Sequence, residues 1–187
     1  MQSSDNNVTY DNITANLGRG VNITSSNVTL TNVTFINGNG SARFHNITIN
    51  STSSVDTYGK LIVSNNSIYV NSTALSQFNA TADLSIFGLT GFATALPFVD
   101  IEDDGSFNFC GSPRCTNPIF DNGADTLSFT VTGFTNYTAN TTIMCNDTIT
   151  TSTTLASNLL NITGGTVCPD NGLKINASNV VLDCGGY

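Results

Sequence analysis

Five short runs between residues 28 and 70 share one pattern: Val28-Thr29-Leu30, Val33-Thr34-Phe35, Ile47-Thr48-Ile49, Leu61-Ile62-Val63 and Ile68-Tyr69-Val70. In each, two apolar side chains stand two positions apart, so an extended backbone puts them on one face. A helix needs its apolar residues to recur every three to four positions, and these runs do not. Asn, Gly and Ser separate the runs, and these are the residues that turn corners or accept left-handed backbone geometry. The chain is therefore expected to be all-β. Composition agrees: 26 Asn, 28 Thr and 19 Ser dominate, while the helix formers Glu, Lys and Gln are scarce.

The spacing of the runs suggests how the strands are arranged. The pieces Asn27-Val-Thr-Leu, Asn46-Ile-Thr-Ile and Asn66-Ser-Ile-Tyr-Val begin roughly 20 residues apart, the period of one coil of a parallel β-helix. The same signature returns near the other end, where Ile175-Asn-Ala-Ser-Asn179-Val-Val-Leu182 matches Ile23-Thr-Ser-Ser-Asn27-Val-Thr-Leu30 position for position. Between them, nine of the 11 Phe fall within residues 76–140, together with Asp-Gly and Asn-Gly turn pairs. That density of Phe suits a compact core between antiparallel strands. The expected fold is all-β, with right-handed parallel β-helix coils at both ends of the chain flanking a small antiparallel β-sandwich. Residues 1–75 would be β-helix coils, 76–140 the Phe-rich sandwich, and 141–187 an opening rung.

Charge narrows the range of partners. Charged residues are 10% of the chain, the net charge is -8, and the only cations besides one His are Arg19, Arg43, Lys60, Arg114 and Lys174. Five scattered cations build no basic patch, which argues against nucleic acid and against an anionic membrane surface. No run of about 18 apolar residues is present, so this segment is not expected to insert into a membrane. Met1 is followed by polar Gln2-Ser3-Ser4-Asp5, so the chain reads as a mature form or a piece of something longer.

The Asn-x-Ser/Thr triplet, the acceptor of N-linked sugar, occurs 16 times, at Asn7, Asn12, Asn22, Asn27, Asn32, Asn39, Asn46, Asn50, Asn65, Asn71, Asn79, Asn136, Asn140, Asn146, Asn161 and Asn176. Given how much Asn, Ser and Thr the chain contains, chance would supply about six or seven. The excess points to covalent N-glycans and an extracellular location. No triplet falls between Asn79 and Asn136. Some Asn at corners, Asn27 and Asn179 among them, could instead stack as ladders inside β-helix turns.

Five cysteines also suit an oxidising compartment. Cys110 and Cys115 bracket Gly-Ser-Pro-Arg, a loop that brings two thiols together, so a disulfide is expected there. Cys145, Cys168 and Cys184 leave their pairing open. Zinc would want further Cys or His partners, and the only His is His45.

Two stretches resemble archaeal surface proteins with right-handed parallel β-helix repeats. Cys145-Asn-Asp-Thr-Ile-Thr-Thr-Ser-Thr-Thr-Leu, with Cys168-Pro-Asp-Asn-Gly-Leu-Lys-Ile and Asn179-Val-Val-Leu-Asp-Cys-Gly-Gly-Tyr187, is similar to the opening rung of such a β-helix. Cys110 to Cys115 followed by Thr126-Leu-Ser-Phe-Thr-Val-Thr-Gly-Phe-Thr-Asn-Tyr137 is similar to a β-rich element that recurs between β-helix blocks there. The resemblance implies a structural surface role and carries over no catalytic residue. In the family the opening rung comes before the later coils, whereas here it lies at the end. Reading one copy's Tyr187 into the next copy's Met1 restores the order.

Candidate chemistry is sparse. The acidic run Asp100-Ile-Glu102-Asp103-Asp104-Gly105 places Asp100, Glu102 and Asp104 at alternate positions, part of a calcium-loop pattern, but Gly111 stands where the closing Glu should be. The competing reading is an Asp-Gly turn facing water, and no metal is assigned. A polysaccharide-cleaving β-helix would need clustered carboxylates beside basic residues, which are lacking. No cofactor and no catalytic residue is expected; the chain is not expected to be an enzyme. The sequence therefore points to a structural subunit of an N-glycosylated extracellular filament, pairing head to tail with copies of itself. The alternative is a cell-surface adhesin or glycan-binding module.

Overall fold

The computed structural model describes residues 8–11, 14–16, 22–23, 28–49, 54–90, 94–140, 148–149, 152–154 and 172–183, with backbone alone at 8–11, 14–16 and 153–154. The chain divides into two compact units, Met1–Asn140 and Thr141–Tyr187. Strands in chain order are β1 (Val8–Asp11), β2 (Thr14–Asn16), β3 (Asn22–Ile23), β4 (Val28–Asn37), β5 (Gly40–Ile49), β6 (Val55–Asp56), β7 (Leu61–Ser64) and β8 (Ser67–Val70). A short 3₁₀ turn, Ser76–Phe78, precedes β9 (Ala82–Ile86), β10 (Leu96–Asp100), β11 (Asn108–Phe109), β12 (Cys115–Asp121), β13 (Thr126–Val131) and β14 (Asn136–Asn140). The second unit contributes β15 (Thr148–Ile149), β16 (Thr153–Thr154), β17 (Lys174–Ile175) and β18 (Leu182–Asp183).

The first unit is a two-sheet sandwich with one further antiparallel pair, β3 and β6. One sheet runs β1-β4-β5-β9-β13-β12, with β2 also beside β4, and the other runs β11-β10-β14-β8-β7. Alternation decides which residues face inward. On β9 the inward side chains are Ala82, Leu84 and Ile86, and on β13 they are Leu127, Phe129 and Val131. The second sheet answers with Leu61, Val63, Ile68, Val70, Tyr137 and Ala139. Each fully buried Ile, Leu or Phe contributes about 1.5–3 kcal/mol, so these faces carry most of the stabilisation.

The expected boundary near residue 75 has no counterpart. Strand β5 pairs directly with β9, from Gly40↔Ile86 to Phe44↔Ala82. Phe35 and Phe44 enter the same aromatic cluster as Phe78 and Phe134, with ring centroids 5.8 Å (Phe35–Phe44), 5.2 Å (Phe44–Phe78) and 4.9 Å (Phe44–Phe134) apart. A single hydrophobic cluster extends from Val28 to Ala139. The Phe-rich segment is thus half of a sandwich whose other half comes from residues 28–70.

Residues 28–70 also pair differently from the expected parallel coils. Strands β4 and β5 form a hairpin, Val28↔Ile49 through Asn37↔Gly40, and β7 and β8 form another, both antiparallel. The turn Gly38-Asn39 between β4 and β5 reverses the chain, which a coil would not do. Asn32, at φ 53°, interrupts the alternation on β4, so that both Val28/Leu30 and Val33/Phe35 face the core. Asn tolerates this left-handed geometry better than most residues. Strand β5 changes phase at the same level, with Phe44 and Ile47 both inward and Asn46 outward.

Parallel pairing among the described residues involves strands toward the two ends. Val8 pairs with Val28 and Thr14 with Thr34. In the second unit Thr148 pairs with Lys174 and Thr153 with Leu182. These partners lie roughly 20 to 30 residues apart in the chain, within the range of solenoid repeat periods. No closed coil is formed by the described strands.

Candidate functional site

Ten of the acceptor asparagines fall on described residues. Asn22, Asn39, Asn46, Asn65, Asn79, Asn140 and Asn176 are exposed, and Asn32, Asn71 and Asn136 are half-buried. Asn7, Asn12, Asn27, Asn50, Asn146 and Asn161 lie outside the described residues, as do Cys145, Cys168 and Cys184. No described acceptor is buried.

The hydrogen bonds of these amides separate into two kinds. Acceptor side chains that bond at all accept through Oδ1: Asn32 from Arg43 Nη2 (3.0 Å), Asn71 from the Ala74 amide (3.0 Å), Asn79 from the Phe134 amide (2.8 Å) and Asn136 from Ser67 Oγ (2.7 Å). Each bond fixes the side chain and leaves Nδ2, the atom that would carry sugar, without a partner among the described residues. Asn37 and Asn66 lie outside triplets and do the reverse. Asn37 Nδ2 donates to Val63 O (2.6 Å) and Asn66 Nδ2 to Ala139 O (2.8 Å). Asn179 is exposed at φ 60°, so it turns a corner at the surface and is not stacked in an internal ladder.

Cys110 and Cys115 form a disulfide. It joins the end of β11, in one sheet, to the start of β12, in the other. Cys110 N–H donates to Pro97 O (2.9 Å) and Cys115 N–H to Gly111 O (3.0 Å), so the loop is held at both ends.

The acidic run does not converge on a common point. Asp100 is 1% exposed, and its carboxylate oxygens accept from the backbone amides of Asp104 (3.1 Å) and Gly105 (2.8 Å). Asp104 Oδ1 accepts from the Ser106 amide (2.8 Å), and Glu102 is exposed. The carboxylates of Asp100 and Asp104 therefore shape the turn. Among the described residues no three His, Cys, Asp or Glu side chains are arranged to hold a metal.

His45 has a partner that sequence reasoning missed. Its Nε2 lies 2.9 Å from Asp83 Oδ2, and Thr130 Oγ1 donates to Asp83 Oδ1 (2.9 Å). Burial pushes the Asp83 carboxyl up, but the bonds from His45 and Thr130, with the His45 and Arg43 charges, outweigh it and hold it below its usual value. The carboxylate sits between the imidazole and the hydroxyl, so the imidazole is not placed to take a proton from Thr130. The three side chains clamp β5, β9 and β13 across the outer face of their sheet. Only the strand register brings them together.

One groove of about 250 Å³ opens beside the acidic turn, lined among others by Tyr69, Asn71, Ile101, Glu102, Asp103 and Arg114. Tyr69 Oη donates to Asp103 Oδ2 (3.4 Å), and Arg114 Nη1 donates to Tyr137 Oη (3.3 Å). Burial, and then the Asp103 carboxylate, raise the Tyr69 phenol above its usual value, so it stays a donor at neutral pH. Val70 and Phe134 also line it and are buried, while Ile101 is 53% exposed.

Comparison with protein-family models, curated proteins and solved structures returns no match. Fold and site stand on their own geometry.

Proposed function

We propose that this chain is a structural subunit or repeat of an extracellular, N-glycosylated surface filament, assembled head to tail by strand pairing. The observation that carries the glycan half of this reading is the division among asparagine amides. The ten described triplet Asn lie at or near the surface with Nδ2 free of any partner among the described residues, while Asn37 and Asn66 commit theirs to backbone carbonyls. Bulky sugars at so many positions suit a part whose role is to be exposed and durable, and they leave little bare surface for a substrate.

The second unit favours assembly. Its residues Ile175 to Leu182 repeat the sequence of Ile23 to Leu30. Val28 and Leu30 are buried under neighbouring strands, whereas their counterparts Val180 and Leu182 are half-buried, and Ile175 and Val181 are 56% and 65% exposed. A strand from a second copy would cover these side chains, and parallel pairs like β15–β17 and β16–β18 could then continue as β-helix coils. The resemblance to archaeal β-helix surface proteins points the same way.

Sedimentation velocity of the full chain tests this. The unsubstituted chain is expected to form large species at micromolar concentration, and Ile175→Asp with Val181→Asp is expected to reduce it to monomer. Identical monomeric profiles for both would refute assembly through this face.

A further inference from the structure

One short sequence occurs three times and marks two strand edges. Asn7-Val8-Thr9-Tyr10 returns as Asn27-Val28-Thr29-Leu30 and again as Asn179-Val180-Val181-Leu182. The first two copies of the motif lie side by side in parallel: Val8↔Val28, Thr9↔Thr29 and Tyr10↔Leu30. Like residues sit beside like, which is how the coils of a solenoid continue one core. The third copy is also paired in parallel with an upstream strand, Leu182 of β18 with Thr153 of β16.

Both β1 and β18 are edge strands. Among the described residues β1 has β4 as its one strand partner, and β18 has β16. Strand β4 is flanked by β1 and β5, and its Val28 and Leu30 are 1% and 4% exposed. Their counterparts Val180 and Leu182 are only half-buried.

The two edges are complementary in hand. Connections between parallel neighbours in one sheet are right-handed almost without exception. Closing over the apolar face, such connections put β4 on the same side of β1 as β18 lies of β16. The open side of β1 is therefore opposite in hand to the open side of β18. These two edges fit together with strands parallel and apolar faces aligned, whereas two β1 edges or two β18 edges do not.

The geometry points to the β1 edge of a second copy as the seat of Asn179 to Leu182, in the register Val180↔Val8, Val181↔Thr9 and Leu182↔Tyr10. The sheet then runs β16-β18-β1-β4 across the junction, with Val180 and Leu182 in line with Val28 and Leu30. This rests on the assembly reading above and names the surface that receives the second unit. The contact joins two different surfaces, the kind that propagates into a filament when its rotation closes no ring.

Cysteine pairing between full chains tests the register. Thr9→Cys and Val181→Cys are made in separate copies, mixed and oxidised, and the link is mapped by peptide mass spectrometry. Thr14→Cys mixed with Val181→Cys is the control; Thr9→Cys removes the Asn7 triplet and Thr14→Cys the Asn12 triplet, so each loses one acceptor. Neighbouring strands lie about 4.8 Å apart, within reach of a disulfide, and five residues of strand add about 16 Å, which is beyond it. The expected result is a link between position 9 of one chain and position 181 of another, lost in the control. Hydrogen exchange on the unsubstituted chain decides the case where a substituted chain does not fold: the amides of Val8–Asp11 are expected to be protected in large species and to exchange faster on dilution. A link in the control mixture, or large species with neither the 9–181 link nor this protection, overturns the register and leaves the filament reading standing. Protein that stays monomeric overturns both, whether unlinked or linked only within single chains that carry both substitutions.

Discussion

Asn66 and Ala139 are joined by two hydrogen bonds: Asn66 Nδ2 donates to Ala139 O at 2.8 Å and Ala139 N–H donates to Asn66 Oδ1 at 3.0 Å. The side-chain amide thus imitates a backbone rung where the β7–β8 turn meets β14, and Thr138 Oγ1 adds a bond to Asn66 O (2.6 Å). Asn66 sits at φ 58°, so glycine is the substitution that removes the side chain without strain. Asn66→Gly is expected to cost about 1–3 kcal/mol in a denaturant titration, because Ala139 loses both partners. The triplet at Asn65 survives that change. Asn65→Gln, which deletes the triplet, should leave the midpoint within about 0.5 kcal/mol in protein made without sugar.

Gly40 separates fold from modification in the same way. A Cβ there would come within 2.4 Å of the Ser85 carbonyl oxygen and 3.3 Å of Val63 Cγ1, closing the gap where β5, β9 and the opposite sheet meet. Gly40→Ala retains Asn39-x-Ser41 as an acceptor but is expected to destabilise the sandwich by about 1–3 kcal/mol, measured by chemical denaturation. No change in the midpoint would mean that β5 and β9 are not this close.

The Cys110–Cys115 link closes a loop with a sequence separation of 5. Chain-entropy reasoning gives about 2 kcal/mol for so short a loop. Replacing both cysteines by Ala should lower the thermal midpoint by about 4–8 °C, and adding reductant to the unsubstituted chain should move it as far. A midpoint insensitive to both treatments would show that the link does not hold the two sheets together at this edge.

Acid should loosen the outer clamp of the larger sheet. Because His45 and Thr130 hold the Asp83 carboxyl below its usual value, Asp83 stabilises the fold above the ordinary carboxylate range, near about pH 4, and that contribution is lost as pH falls through the depressed value. Asp83→Asn is expected to lower the thermal midpoint at pH 7, with the gap to the unsubstituted chain closing in strong acid. A gap of constant size from pH 7 to pH 2 would contradict the clamp.

Alternation revealed the strands but not their partners. Val28-Thr29-Leu30 and Ile47-Thr48-Ile49 each declared one inward face, and both faces are buried. The period of two says nothing of strand direction, so a separation of roughly 20 residues served the β4–β5 hairpin as well as it would have served a coil. Asn37-Gly38-Asn39-Gly40 was the local signal for reversal, two Asn-Gly pairs between two apolar runs. The disulfide was legible because its loop is short. The pairing of His45 with Asp83 was not, because it depends on β5 lying beside β9, a non-local choice made by Phe35, Phe44 and Phe78 sharing one aromatic cluster. The triplets were legible by count alone, and they already set Asn65 apart from Asn66; what the structure adds is that Asn66 commits its amide to Ala139.

Electron microscopy of the purified full chain tests the filament itself. The expected image is an ordered polymer whose axial repeat corresponds to one chain, with sugar density projecting from positions such as Asn39, Asn65 and Asn140. Discrete, closed monomers at high concentration, with Ile175 and Val181 covered by their own chain, would contradict it.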